Sequence, residues 1–535
     1  MKKIKTLHII AVIVVAMLTQ GCNKFLDKAP LGTVTQANLF KDSVNAIQAV
    51  NSIYDAASWD EGPKWGNGPY VGHMYEWMFG DVLSDDAEKG SASSDFTPIS
   101  DLKTWIADPS NSIIGTLWTH CFTGISRANT VLSNVDAGTI SEKLKAQLKG
   151  EALFFRGYFY FYLVRTFGGV PLFEKPPLPL ESASVSRSSI AETYAFIEKD
   201  FKAAASLLPE KNMYPAADLG RATKGAANAY LARAIMYQLG TINGNNHTWQ
   251  DVYDLTSTII SSGQYSLTPN YATIQENEGK NSSESIFELQ FTTSLINYGP
   301  AKSGTTNNLF QNNRSTWGYG FNNPTQDLVN EFEANDPRLP VTVFKNGDVV
   351  LGILNNVDLA GNATGYLSRK VAILRPAEVK SGDQNIRKIR LADIILMKAE
   401  AAAKTGKESE AISLVNQIRQ RAKNSTKPKG STVGSLAYDA NTIPAVTLPD
   451  LSTSLTGQNL LNAIWHERRT ELGMETLHYW DLMRTGRYLN ILPADVKARC
   501  LTHCVTQNVV NPVPLLPIPI IEAQTWKLQQ NPGYL

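Results

Sequence analysis

Apolar residues recur every three or four positions through much of the middle and end of this chain. Leu144, Leu148, Ala152, Phe155, Phe159 and Leu163 follow that spacing. The spacing predicts a helix with one apolar face over 144–163. Phe167-Gly168-Gly169-Val170-Pro171 stops it, and Pro171, Pro176, Pro177 and Pro179 make an extended connector. The same reading gives helices over 191–208 (closed by Pro209), 222–239 and 249–261. Segments 390–404 and 408–421 form a further pair, joined by Thr405-Gly406-Lys407. In that pair Ala399, Gly406, Ala411 and Val415 have the small-residue spacing of tetratricopeptide repeats, where small side chains let neighbouring helices approach. The expected fold is all-α, with helical pairs within 110–261 and 390–490. An irregular helical bundle fits the same periodicities.

Two stretches lack helical period. Residues 59–108 carry Trp59, Trp65, Tyr70, Tyr75, Trp77, Phe96 and Trp105 among Gly, Ser and Asp; residues 262–340 are rich in Gly, Asn and Thr. Their aromatic content argues for ordered loops rather than disorder. The run from Val343 to Val350 alternates around Asn346-Gly347 and predicts a hairpin. Residues 427–449 read as a long polar loop.

The start has a different pattern. Lys2, Lys3 and Lys5 precede ten unbroken apolar residues, Ile9 to Leu18, and Gly21-Cys22 follows. At about 1.5 Å per residue, ten helical residues cover about half of a hydrocarbon core, so the segment is too short to span a membrane. It has the layout of a secretory signal, 1–21, ending at a cysteine open to lipidation, Cys22. An ordinary signal peptide with a coincidental cysteine fits too, because Thr19 stands where lipoproteins usually carry Leu, Val or Ile.

Composition then narrows the function. The chain has 535 residues, and a hydrophobic content of 43% permits a sizeable core. Its length admits several domains or one helical solenoid over 22–535. Taking the three signal lysines from 50 basic residues leaves 47 against 49 acidic ones, and no basic block occurs, so a nucleic-acid partner is excluded. Ten Trp and twenty Tyr favour a neutral ligand. Cys500, His503 and Cys504 lack the fourth ligand of a closed zinc site; a local disulfide or two free thiols fit better.

Catalytic motifs fail one by one. His466-Glu467 opens like a zinc-protease helix, but Thr470 replaces the second His. Gly220 and Gly225 have P-loop spacing, but Ala226-Ala227 replace Lys and Ser/Thr; a helix capped near Thr223 explains the segment. Gly-x-Ser-x-Gly does not occur. Asp81, Asp85, Asp86 and Glu88 are the best carboxylate cluster, short of a full calcium loop pattern. Neither a metal nor a cofactor is expected.

Binding has a direct physical basis. A sugar ring has an apolar face and a polar rim, which aromatic planes and Asp, Asn or Arg satisfy. Trp65, Tyr70, Phe96, Trp317 and Tyr319 are candidate platform residues, and Asp85, Asp86 and Arg314 candidate rim residues. Part of the Trp317–Tyr319–Phe321 group must be core, and Trp118, Trp465 and Trp480 lie on helical patterns and read as packing.

Nearly end to end, the chain resembles the SusD/RagB family of outer-membrane nutrient-binding lipoproteins. The resemblance rests on Cys22-Asn23-Lys24-Phe25-Leu26-Asp27, Arg127-Ala128-Asn129, Arg156-Gly157-Tyr158 through Phe167-Gly168-Gly169-Val170-Pro171, and Phe321-Asn322-Asn323-Pro324-Thr325. It continues in Asp336-Pro337-Arg338, Arg390-Leu391-Ala392-Asp393, Glu467-Arg468-Arg469, Trp480-Asp481-Leu482-Met483-Arg484 and the closing Asn531-Pro532-Gly533-Tyr534. Thr476-Leu477-His478 departs from the family pattern, and no strong acidic run follows Cys22. The resemblance implies a non-catalytic, lipid-anchored, surface-exposed protein of the cell outer membrane. It implies a tetratricopeptide-like scaffold with the ligand site in long loops, and a SusC-like TonB-dependent transporter docked on the repeat side. The implied ligand is an oligosaccharide or polysaccharide. A peptide binder in the same docking role and a lipid-anchored glycoside hydrolase are the alternatives.

Overall fold

The computed structural model describes residues 39–58, 76–176, 185–293, 304–358, 361–377, 382–439 and 448–534. Cys22, Trp65 and Tyr70 lie outside them. Among the described residues, nine longer helices form the scaffold: α1 (Ser43–Ala57), α2 (Ser112–Asn134), α3 (Glu142–Phe167), α4 (Ile190–Leu207), α5 (Lys224–Thr241), α6 (Trp249–Ser261), α7 (Leu391–Lys404), α8 (Glu408–Lys423) and α9 (Gly457–Leu472). Each packs on its neighbour in order from α1 to α8, and α9 returns onto α7. This is the antiparallel stacking of a helical-repeat array. Helices α6 and α7 touch although residues 262–390 separate them in the chain, so that stretch is an insert into the array.

Local chemistry sets the helix ends. Ser189 and Glu192 make a reciprocal capping box at α4, and Thr223 accepts from Ala226 N at α5. Gly168, at φ +74°, ends α3, a backbone conformation that a side chain disfavours. Helix α3 departs from its expected single apolar face: everything from Gly150 to Phe167 is buried. Helices α1, α2 and α4 enclose it, and Phe287 of strand β2 (Ser285–Leu289) meets Phe154 ring to ring at 5.0 Å. A Cβ on Gly124 would stand 2.1 Å from the Phe159 ring, so α2 approaches α3 as closely as a side chain allows.

The insert carries all of the following short strands except β1 (Ala87–Gly90), which precedes α2. Strand β1 pairs antiparallel with β3 (Phe321–Pro324), and β2 with β8 (Ile386–Arg390). The expected hairpin over 343–350 does not form. Strand β4 (Val343–Lys345) pairs with β7 (Tyr366–Ser368), and β5 (Val349–Val350) with β6 (Ile353–Leu354). The Asn346-Gly347 turn is present, with Gly347 at φ +88°, but Gly347 N donates to Asn355 O and the two arms separate to different partners. Region 59–108 is more than loop: Glu76–Gly80 and Pro98–Lys103 are helical, and Trp77 and Trp105 are core residues.

A buried ionic network ties the insert to the scaffold. Arg338, with no exposed surface, pairs with Asp336 at 2.7 Å and with Glu467 and Glu471 on α9. Arg390 joins Glu284, Glu471 and Glu475, and Arg421 of α8 joins Glu284 and Glu471. Charged residues spread along the sequence thus neutralise one another in the core, where an unpaired charge is costly. Cys500 and Cys504 are free thiols, and Cys504 Sγ donates to Cys500 O at 3.5 Å.

Candidate functional site

Pairing of β1 with β3 brings loop 91–97 beside loop 312–320. Ser91 N donates to Gly320 O at 2.7 Å. Gly90, at φ +70°, admits this contact, because a Cβ there would lie 2.4 Å from Gly320 O. Arg314 locks the two loops. Its Nη1 donates to Ser91 Oγ and to Asp95 Oδ2, both at 2.6 Å, and Ser91 Oγ donates to the same Asp95 oxygen. The Ser91 hydroxyl and the Arg314 guanidinium hold the Asp95 carboxyl below the usual range. The Arg314 stem lies against Gly320 and Gly361, and Asp358 approaches its Nε at 3.8 Å, so a third loop joins the site. Lys89 donates to Ala92 O and Asp95 O, each at 2.8 Å, and closes the 92–95 turn.

The aromatics stand on this frame. Asn313 O accepts from Thr316, Trp317 and Gly318 N–H groups, which coils the backbone tightly beneath Trp317. Gly318 is required there, since a Cβ would lie 2.1 Å from Asn312 O. Tyr319 packs edge-on to Phe310 (5.4 Å), Phe310 stacks on Phe321 (5.7 Å), and Phe321 meets the buried Trp77 (6.1 Å). Tyr319 is therefore the outer end of a ladder of rings rooted in the core. Trp317, Tyr319 and Phe96 are all half-buried, and Arg314 is exposed. Ser91, Phe96 and Asn322 have φ of +56°, +43° and +56°, so non-glycine left-handed residues gather at this junction. Such backbone costs about 1–3 kcal/mol per residue and persists where surrounding contacts over-determine it.

The structure thus ties the loop of Phe96 to the loop that carries Arg314, Trp317 and Tyr319. It separates Asp85 and Asp86 from them. Asp86 has no exposed surface and accepts from Arg469 Nε at 2.8 Å. Asp85 accepts from His478 Nε2 at 2.8 Å and lies 3.3 Å from Arg469 Nη2. The expected rim role is corrected for Asp86, which the Arg469 guanidinium holds inward against α9, while Asp85 stays half-buried beside it. Asp85, Asp86 and His478 offer three ligand atoms within 4.8 Å of one another. Arg469 already supplies positive charge there, which disfavours a cation. His478 is one of the departures from the family pattern, and here it serves as partner to Asp85. Ser91, Lys89, Asp95 and Asp358 were not read from the sequence. Asp95, beside Phe96 in an aromatic-rich loop, carried a signal; Asp358 carried none.

Asp81 faces inward instead. It lines a pocket of about 70 Å³ with Glu76, Lys370, Gln384, Arg387 and Lys388. It accepts from Thr476 N at 2.9 Å and from Asn322 Nδ2 at 3.0 Å. Burial pushes its carboxyl up to about 7. A raised folded pKa means stability that is complete below the unfolded value near 3.9 and is lost as pH rises through about 7. We expect Asp81→Asn to melt close to the parent at pH 4 and above it at pH 8, by about 1–3 kcal/mol. Thermal melts at both pH values check this, and an equal offset at the two would refute it.

Family comparison agrees with this architecture. Residues 24–236 match the family model described as "Starch-binding associating with outer membrane", and residues 249–534 match the SusD family model. The chain belongs to the SusD family. It is 24% identical to SusD-like protein P25 of Formosa agariphila, over 96% of this chain and 95% of that one. It is 22% identical to a SusD-like protein of Bacteroides ovatus, covering 89% and 81%. Among solved structures, a laminarin-binding SusD-like protein superposes with a TM-score of 0.72 at 26% identity, covering 92% of this chain and all of that one. Surface glycan-binding protein A from Bacteroides thetaiotaomicron, solved with laminarihexaose, gives 0.68 at 21%, covering 91% and 99%. Among the described residues, no helix is long and apolar enough to cross a membrane.

Proposed function

We propose that this protein is a non-catalytic glycan-binding lipoprotein, anchored to the outer membrane through Cys22. It captures oligosaccharides at the patch of Trp317, Tyr319, Phe96 and Arg314 and passes them to a SusC-like TonB-dependent transporter. The carrying observation is the Arg314–Ser91–Asp95 clamp. It fixes two loops so that half-exposed rings stand beside a charged rim, the arrangement a sugar's apolar face and hydroxyls require. Membership of the SusD family, with relatives whose names record glycan binding, supports the reading. The hydrolase alternative loses its best carboxylate, since Asp86 is enclosed and ion-paired. Trp65 and Tyr70 stay in the proposal as further platform residues.

Affinity electrophoresis in gels containing laminarin or other neutral polysaccharides tests the reading. The parent protein should be retarded without releasing reducing sugar. Trp317→Ala should bind about 10-fold more weakly, a loss of about 1.4 kcal/mol. Unchanged retardation of that variant would remove Trp317 from the site, and released sugar would make the protein an enzyme. Fatty-acid labelling should disappear in Cys22→Ala; persistence would refute the anchor.

A further inference from the structure

A second concavity lies apart from the Trp317 patch. It is a groove of about 330 Å³ between β4, β5 and β7, the turn before β4, and the segment at Lys427-Pro428. That volume falls in the range of small-molecule sites, about 300–1,000 Å³. Leu339, Val343, Phe344 and Val350 give it apolar walls.

Its polar groups are mostly donors. Lys345 and Lys427 are exposed at the groove, and neither ammonium has a partner among the described residues. Arg369 also lines it, 4% exposed. Arg369 Nη2 donates to Glu276 Oε1 and to Lys429 O, each at 2.9 Å, but its buried Nε–H has no acceptor among the described residues. Of the nearby carboxylates, Glu276 pairs with Arg369 and Glu278 with Lys429, while Asp348, which also lines the groove, accepts at Oδ2 from Lys345 N at 2.8 Å.

We infer that this groove binds an acidic sugar residue. Its carboxylate or sulfate would sit between the exposed Lys345 and Lys427 ammonium groups, with its ring face on the apolar wall. Charged hydrogen bonds to the anion and ring burial on Phe344 would then act together. The site would add preference for charged glycans to the neutral platform at Trp317. This inference rests on the proposed glycan-binding role, and the two are tested separately.

Saturation-transfer NMR on the mature full-length protein would use methyl β-glucuronide, glucose 6-sulfate and methyl β-glucoside. Both acidic probes, or one of them, should bind at least about 10-fold more tightly than the neutral glucoside, and raised salt should weaken that binding. Which acidic probe binds distinguishes carboxylate from sulfate. Lys345→Glu/Lys427→Glu, two exposed positions, should lose the acidic probe at least about 10-fold, whereas Trp317→Ala should keep it. The inference is overturned if neither acidic probe binds, if the neutral glucoside binds equally, or if charge reversal changes nothing. Laminarin retardation of the same proteins reports the platform independently. Retardation without acidic-probe binding defeats only the groove; acidic-probe binding without retardation defeats only the platform.

Discussion

Replacing Arg390 with Met should cost about 3–5 kcal/mol and lower the melting temperature by roughly 3–5 °C. All of its donors are engaged: Nε with Glu475, Nη1 with Glu284 and Glu471, and Nη2 with Glu471 O and Glu475. Methionine fills much of the volume but leaves Glu284, Glu471 and Glu475 sharing Arg421, Arg338 and Lys370. One partner removed from a buried network strands the others, which costs more than the network's own net contribution. Scanning calorimetry measures the loss. A melting temperature within about 1 °C of the parent would show that the carboxylates re-pair or protonate without penalty.

Acid should undo the same network. Three arginines, Arg421, Arg390 and Arg338, outweigh desolvation and hold the Glu471 carboxyl down to about 2. Glu475 and Asp481 are depressed as well, by Arg390 with Lys370 and by Arg468 with Arg484. A depressed folded pKa contributes stability above the unfolded value and loses it as pH falls toward the folded one. Glu471 alone should give up about 3 kcal/mol between about pH 4.5 and pH 2. Chemical denaturation followed at pH 7, 4.5 and 3 reads this directly. Glu471→Gln should be much less stable at pH 7 and should show a shallower acid slope. An unchanged slope in that variant would remove Glu471 from acid unfolding.

Helices were legible because their causes are local. Thr223, Gly168 and Pro209 mark ends within a residue or two of those observed, since a helix end involves neighbours in sequence. The sign of a charge was legible, but not its destination. Asp85 and Asp86 have the same composition around them as any exposed acidic turn. Asp86 is enclosed and Asp85 half-buried because Arg469, hundreds of residues away in the chain, arrives beside them. The 343–350 hairpin failed for the same reason: its Asn-Gly turn is local, whereas the choice of strand partner is not. Helix α3 was read as one-sided because periodicity reports the helix's own pattern and not how many neighbours cover it.

The amino-acid sequence by itself determined the repeat helices and the aromatic wealth of two irregular stretches. Each of these follows from residue type, spacing or local backbone chemistry. Only the tertiary structure decided which aromatics stand at the surface and which carboxylates are spent in the core. Ser91 and Arg314 meet across 223 residues of chain, and Arg338 and Glu467 across 129. Such meetings depend on how the helical array stacks and where the insert returns to it. That geometry is fixed by the summed burial of many side chains, and no single stretch of sequence contains it.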